Sequence, residues 1–129
     1  MTPSPPNMKP LDSATLSARL GSAGGRFLDS AVGNSPVYFV QKSRTKVDVG
    51  SWLLKRPVWV CLLQRELLLF ASGSKPFVER IPLEDLHQSQ YNHVTGEVVL
   101  APAASAGVSR LKIPPLEALE VLSHICPGE

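Results

Sequence analysis

The last third of the chain constrains its fold most. Glu97-Val98-Val99-Leu100-Ala101 and Val108-Ser109-Arg110-Leu111-Lys112-Ile113 are two short β-rich runs on either side of the small, flexible segment Ala101–Gly107. Pro114-Pro115 then opens one amphipathic helix, Leu116 to Ile125. Proline is tolerated in a first helical turn because those N–H groups have no intrahelical partner. Glu117 and Glu120 place negative charge near the positive end of the helix dipole, and Pro127-Gly128 ends the helix. Leu116, Leu119, Leu122 and Ile125, widened by Ala118 and Val121, read as one apolar stripe. That stripe is expected to be core, lying over the open end or face of a curled sheet. Few small folds are a chain of short strands ending in one capping helix, and that plan points to a binding module rather than a catalyst.

Upstream, the pattern is also β. Pro36 to Val49 reads as a long first strand, with Val37, Phe39, Val47 and Val49 at odd positions and Lys42, Arg44, Lys46 and Asp48 at even ones. Alternation gives a core face and a solvent face, with three cations in a row on the latter. Gln41, Ser43 and Thr45 interrupt the core face, so the strand is expected to bend or break there. Ser51 to Arg56 is a connection or a short strand of its own. Val58–Leu63 and Leu67–Ala71 are strongly apolar strands joined by a hairpin turn at Gln64-Arg65-Glu66. After the loop Ala71–Pro76, Phe77–Ile81 is a fourth strand. Leu83–Tyr91 begins as a turn and continues as a fifth strand through Tyr91 or Val94. Thr95-Gly96 leads to the sixth strand, Val98–Ala101, and Val108–Ile113 is the seventh.

Three regions follow from this: a disordered Pro-rich tail over 1–10, a short helical or flexible extension over 11–35, and the β domain over 36–126. The tail holds four of the twelve prolines and little to bury. In the extension, Asp12 or Ser13 would cap a short helix over 12–20, with Leu16 and Leu20 on one face and Gly21 as its stop. Gly21–Gly25 reads as a loop without the Gly-Lys-Ser/Thr ending of a phosphate-cradling loop. Phe27, Leu28 and Val32 suggest another short docked helix.

At 129 residues the chain fits one domain plus a tail and buries roughly two-thirds of its unfolded surface without a disulfide or metal. The net charge of +2 gives no general drive toward nucleic acid or anionic membrane, so such binding would need a local patch. Cys61 and Cys126 are far apart and fit no metal spacing; they read as free thiols of a reducing, cytoplasmic setting. The start has no signal-peptide pattern, and no apolar run approaches the ~20 residues that span a bilayer. His87 and His93 would share a face of one unbroken strand, but together with Asp85 and Glu97 they make no metal set. His124, in the last helical turn, reads as a partner of the helix dipole. No nucleophile–base motif is present, so the chain is read as non-catalytic and without a cofactor.

Seven strands in meander order followed by one helix resemble the pleckstrin-homology (PH-like) superfold. The resemblance is carried by Trp52-Leu53-Leu54-Lys55-Arg56-Pro57-Val58-Trp59-Val60-Cys61-Leu62, by Glu66-Leu67-Leu68-Leu69-Phe70 and by Phe77 to Leu86, and it covers residues 36–126. It implies a mainly β fold, a seven-stranded curled sheet or barrel capped by the C-terminal helix, with the N-terminal extension outside it. It also implies a non-catalytic interaction module that binds another protein as adaptor or assembly subunit. The alternative it offers is membrane targeting, peripheral and through anionic phosphoinositide headgroups, by a basic first-strand face. A small barrel enzyme or ligand carrier is the third reading, and OB- or SH3-like barrels fit a closing helix less well. Candidate binding residues are Lys42, Arg44, Lys46, Trp52, Lys55 and Arg56, with Arg65 expected nearby. Clustered cations can offer several charge-assisted donors to one anion, whereas a solvated strand face is the ordinary fate of Lys and Arg. The second strand, Trp59 to Leu63, carries no cation, which departs from the headgroup-binding pattern. Trp59 is expected in the core. Peptide-binding members of the superfold add a ligand strand to a sheet edge beside the C-terminal helix.

Overall fold

The structure, a computed structural model, describes residues 10–33, 35–50 and 55–126. The expected Pro-rich tail, Pro10 apart, and Trp52 lie outside the described residues. Among the described residues, seven antiparallel strands form two sheets. Strands β1 (Phe39–Asp48), β2 (Lys55–Leu62), β3 (Glu66–Ala71) and β4 (Phe77–Pro82) pair in chain order to make the first. Strands β5 (Gln90–Asn92), β6 (Glu97–Val99) and β7 (Arg110–Lys112) make the second. The β2–β3 hairpin turns tightly at Gln64-Arg65, where the Leu63 N–H donates to the Glu66 carbonyl at 2.9 Å.

The sheets do not close into a barrel. A 3₁₀ turn, Leu83–Leu86, separates β4 from β5, and no ladder joins β1 to β7 among the described residues. Side-chain chemistry bridges that second gap. The Lys112 N–H donates to Thr45 Oγ1 at 2.9 Å, and the Thr45 hydroxyl faces the Arg110 carbonyl at 3.4 Å.

The main core lies between the sheets. Phe39, Val58, Val60, Leu62, Leu67, Leu69 and Ile81 from the first sheet meet Val98, Leu100, Leu111 and Ile113. Helix α2 (Pro115–Ile125) closes it with Ala118, Val121 and Ile125. The expected stripe is corrected here: Leu116 is 79% exposed and Leu119 59%. Residues three apart step back by about 60° around a helix, so four of them sweep half the circumference. Ala118, Val121, Leu122 and Ile125 fall within about 100° of one another, and that narrower face is the one the core takes. Leu116 points the opposite way.

Strands β2 and β3 are apolar almost throughout because both of their faces are covered. Cys61, Leu63, Leu68 and Phe70 point away from the main core and are buried with Val37 and Val40 beneath Leu28 and Val32. Those last two belong to helix α1 (Ser13–Val32), which is kinked at Gly21 (φ 80°). Phe27 stacks on Phe70 with ring centroids 5.4 Å apart, and the half-buried Trp59 lies against the same ring at 6.5 Å. Asp12 caps α1, its Oδ1 accepting from the Thr15 N–H at 2.7 Å. The break at Gly21 follows the expectation, but the loop expected over Gly21–Gly25 shrinks to that one residue. Gly24 and Gly25 are helical because docking of Phe27, Leu28 and Val32 overrides their weak helical preference. Arg80 on β4 pairs with Glu66 at 3.0 Å and donates to the Ala31 carbonyl, which ties the end of α1 to the sheet.

His124, read from the sequence as a partner of the helix dipole, lies in the last turn of α2. Its ring lies against Phe39 at 6.0 Å between centroids, and Nε2 is buried without a partner. Burial pulls its pKa below the usual histidine value, against the opposing pull of Glu120. The folded state therefore favours neutral imidazole, while the unfolded chain takes up a proton near pH 6.5. Stability should be full above about pH 6.5 and fall as the pH drops through the folded-state value. Urea unfolding at pH 5 and pH 8 should show a larger acid loss for the wild type than for His124→Gln; equal losses would contradict the assignment.

Candidate functional site

The polar middle of β1 organises the surface chemistry. Lys42 stands opposite Trp59 and Lys46 opposite Pro57, so Ser43, Arg44 and Thr45 together face the single residue Val58. Three residues against one make a special bulge. Ser43 is buried in it and its hydroxyl donates to the Val58 carbonyl at 2.7 Å, while Thr45 is turned toward β7.

The bulge breaks the alternation on which the row of three cations rested. Lys42 and Lys46 keep the register of Pro57, Trp59 and Cys61, the outer side of the sheet. Arg44 instead lines an open cleft of about 580 Å³ with Tyr91, Thr95, Gly96, Lys112, Ile113, Pro114 and Pro115. The three expected partners are thus divided between two places.

The first place is the β1–β2 end of the sheet. Lys55 pairs across from Asp48 and Arg56 from Val47, with Lys46 beside them opposite Pro57. Arg65 sits in the β2–β3 turn at the other end of β2, so the expectation that it joins them fails. Lys75, which sequence reasoning missed, is at this end. Its N–H donates to the Val49 carbonyl at 2.8 Å and the Ser74 hydroxyl reaches the same oxygen at 3.4 Å. The signal was present: in a meander, alternate loops fall at the same end of the sheet, so the β3–β4 loop must accompany the β1–β2 loop. Lys46, Lys55, Arg56 and Lys75 are exposed and make no ion pair among the described residues.

The second place is the Arg44 cleft. Glu97 is the cross-strand neighbour of Lys112, but its carboxylate pairs with Arg110 at 3.3 Å. Arg44 and Lys112 are exposed and have no ion-pair partner among the described residues. Pro115 leads from the cleft onto α2, where Leu116 follows directly and Leu119 lies one turn further. A neighbouring hollow of about 390 Å³ runs along β5 past Gln88, Gln90, Tyr91, Asn92 and His93 to Val99, Leu100 and Pro102, with no carboxylate or Lys/Arg in its lining.

Neither hollow sets a nucleophile against a base and an acid. His87 follows the 3₁₀ turn and His93 lies in the β5–β6 turn, so the single strand expected to carry both is absent. No group of three or more His, Cys, Asp or Glu among the described residues could hold a metal. Cys61 is fully buried, and burial pushes its thiol up to about 12, which leaves it in the unreactive protonated form. Cys126 is half-buried with its thiol 3.3 Å from the Ser89 carbonyl, and burial raises its pKa too. No helix among the described residues is long and apolar enough to cross a membrane. Comparison with known proteins gives no match: no family model, no curated protein and no solved structure.

Proposed function

We propose that this chain is a PH-like, non-catalytic interaction module of the cytoplasm that binds another protein as an adaptor or assembly subunit. A four-stranded and a three-stranded antiparallel sheet in meander order, followed by one helix, support the PH-like reading. The observation that carries the binding role is the exposure of Leu116 and Leu119 on a regular helix, beside Pro115 and an open cleft. Covering a leucine side chain gains about 1.5–3 kcal/mol, and neighbouring apolar groups on a rigid element mark interaction sites more than scattered ones do. Affinity purification of the wild type beside a Leu116→Asp/Leu119→Asp chain tests this. Both residues are outside the core, so the variant should fold as the wild type does while losing its co-purifying protein. Equal recovery of partners with both chains would contradict the proposal.

A second reading is supported by a separate observation, the gathering of Lys46, Lys55, Arg56 and Lys75 at one sheet end beside the sequence Trp52-Leu53-Leu54. Four exposed cations without an ion pair among the described residues suit an anionic lipid surface. Sedimentation with phosphoinositide-containing vesicles, lost on Lys46→Glu/Lys55→Glu, would favour it; indifference to lipid removes it.

A further inference from the structure

We infer that the Arg44 cleft recognises an acidic segment of the partner protein, one that presents carboxylates beside apolar side chains. The inference rests on the protein-binding role and specifies its site and partner chemistry.

Two cations from different elements converge there, Arg44 from the β1 bulge and Lys112 from β7. The bulge is what brings them together, since regular alternation would have left Arg44 in line with Lys42 and Lys46. Glu97, the cross-strand neighbour of Lys112, is held by Arg110 instead. Arg44 offers a planar fork of donors and Lys112 a compact charge, which together suit neighbouring carboxylates. Tyr91 and Thr95 also line the cleft and carry hydroxyls that can donate or accept. Pro114 and Pro115 give the lining its apolar part, while the Ile113 side chain belongs to the main core. Pro115 is followed on α2 by exposed Leu116, with Leu119 one turn further along. A segment lying from the cleft onto α2 would therefore meet positive charge first and leucine next. Charge complementarity of this kind fixes orientation and partner choice, and the leucines supply buried area.

The test uses the full chain as bait for a display library of short random peptides. Recovered peptides are then titrated by fluorescence polarisation against the wild type, Arg44→Glu/Lys112→Glu, Lys46→Glu/Lys55→Glu and Leu116→Asp/Leu119→Asp. We expect enrichment of Asp or Glu next to large apolar residues. Binding should weaken about tenfold or more in the Arg44/Lys112 variant, weaken with added salt, and stay unchanged in the Lys46/Lys55 variant. The charge-neutral Arg44→Gln/Lys112→Gln chain should show the same loss in smaller measure, which separates lost attraction from new repulsion. A selection that enriches no acidic peptides overturns the inference, as do peptides that bind the Arg44/Lys112 variant as tightly as the wild type. Peptides lost only with Leu116→Asp/Leu119→Asp would overturn it while leaving the protein-binding role in place.

Discussion

A chain carrying Leu28→Asp should fail to hold its fold, although Leu28 lies outside the β domain in sequence. Leu28 is 1% exposed and sits over Cys61, Leu63, Leu68 and Phe70 on the outer side of the first sheet. A carboxylate there would be buried without a partner, which a domain of ordinary stability cannot sustain. The milder Leu28→Ala should cost about 2–5 kcal/mol, a large part of the roughly 5–15 kcal/mol that holds a typical domain together. Deleting residues 1–33 should uncover the same apolar face and drive self-association. Urea titration of Leu28→Ala is the cleanest check, since the midpoint should drop without change in slope. A midpoint equal to the wild type would mean that α1 contributes nothing to the fold.

Gly73→Val should be nearly as damaging, for a different reason. Gly73 is itself exposed, yet a Cβ there would run into the Val49 carbonyl oxygen and side chain. Val49 is fully buried and its carbonyl accepts from the Lys75 N–H, so neither side can give way cheaply. Overpacking of this kind costs about 1–3 kcal/mol or more. Relief of the clash would move the β3–β4 loop and Lys75 away from Lys46, Lys55 and Arg56. Thermal unfolding of Gly73→Ala and Gly73→Val should show stepwise loss, and wild-type stability in both would contradict the close packing of the two loops.

The strand order and the span of α2 were legible in the sequence because they rest on local signals. Those signals are turn residues at Ser72-Gly73-Ser74 and Thr95-Gly96, β-branched and aliphatic runs between them, and the Pro-Pro start of the helix. Three features were not legible, each because it depends on contacts between distant residues. The uninterrupted apolar character of Val58–Leu63 and Leu67–Ala71 holds the information that both faces are covered, but it does not say by what; α1 supplies the cover. The polar break at Gln41-Ser43-Thr45 announced an irregularity, whereas its size depends on Ser43 reaching the Val58 carbonyl and Thr45 reaching β7. That irregularity redirects Arg44, so the candidate site could not be assembled from alternation alone. On α2 the helix was plain, but which of two overlapping apolar faces turns inward is decided by the core it meets. The site thus changed more than the fold: a single basic strand face became a basic sheet end and a separate cationic cleft beside exposed leucines.

The claim that matters most is that a protein covers the outward face of α2. Placing a photoactivatable phenylalanine analogue at position 116 in the full chain, and irradiating it in its native cellular setting, tests this directly. Position 78 serves as the control, because Val78 is 46% exposed but lies on β4 opposite Phe70, away from the Arg44 cleft and α2. The account predicts a discrete protein adduct from position 116 and none from position 78. No adduct at 116, or the same diffuse pattern from both positions, would contradict it.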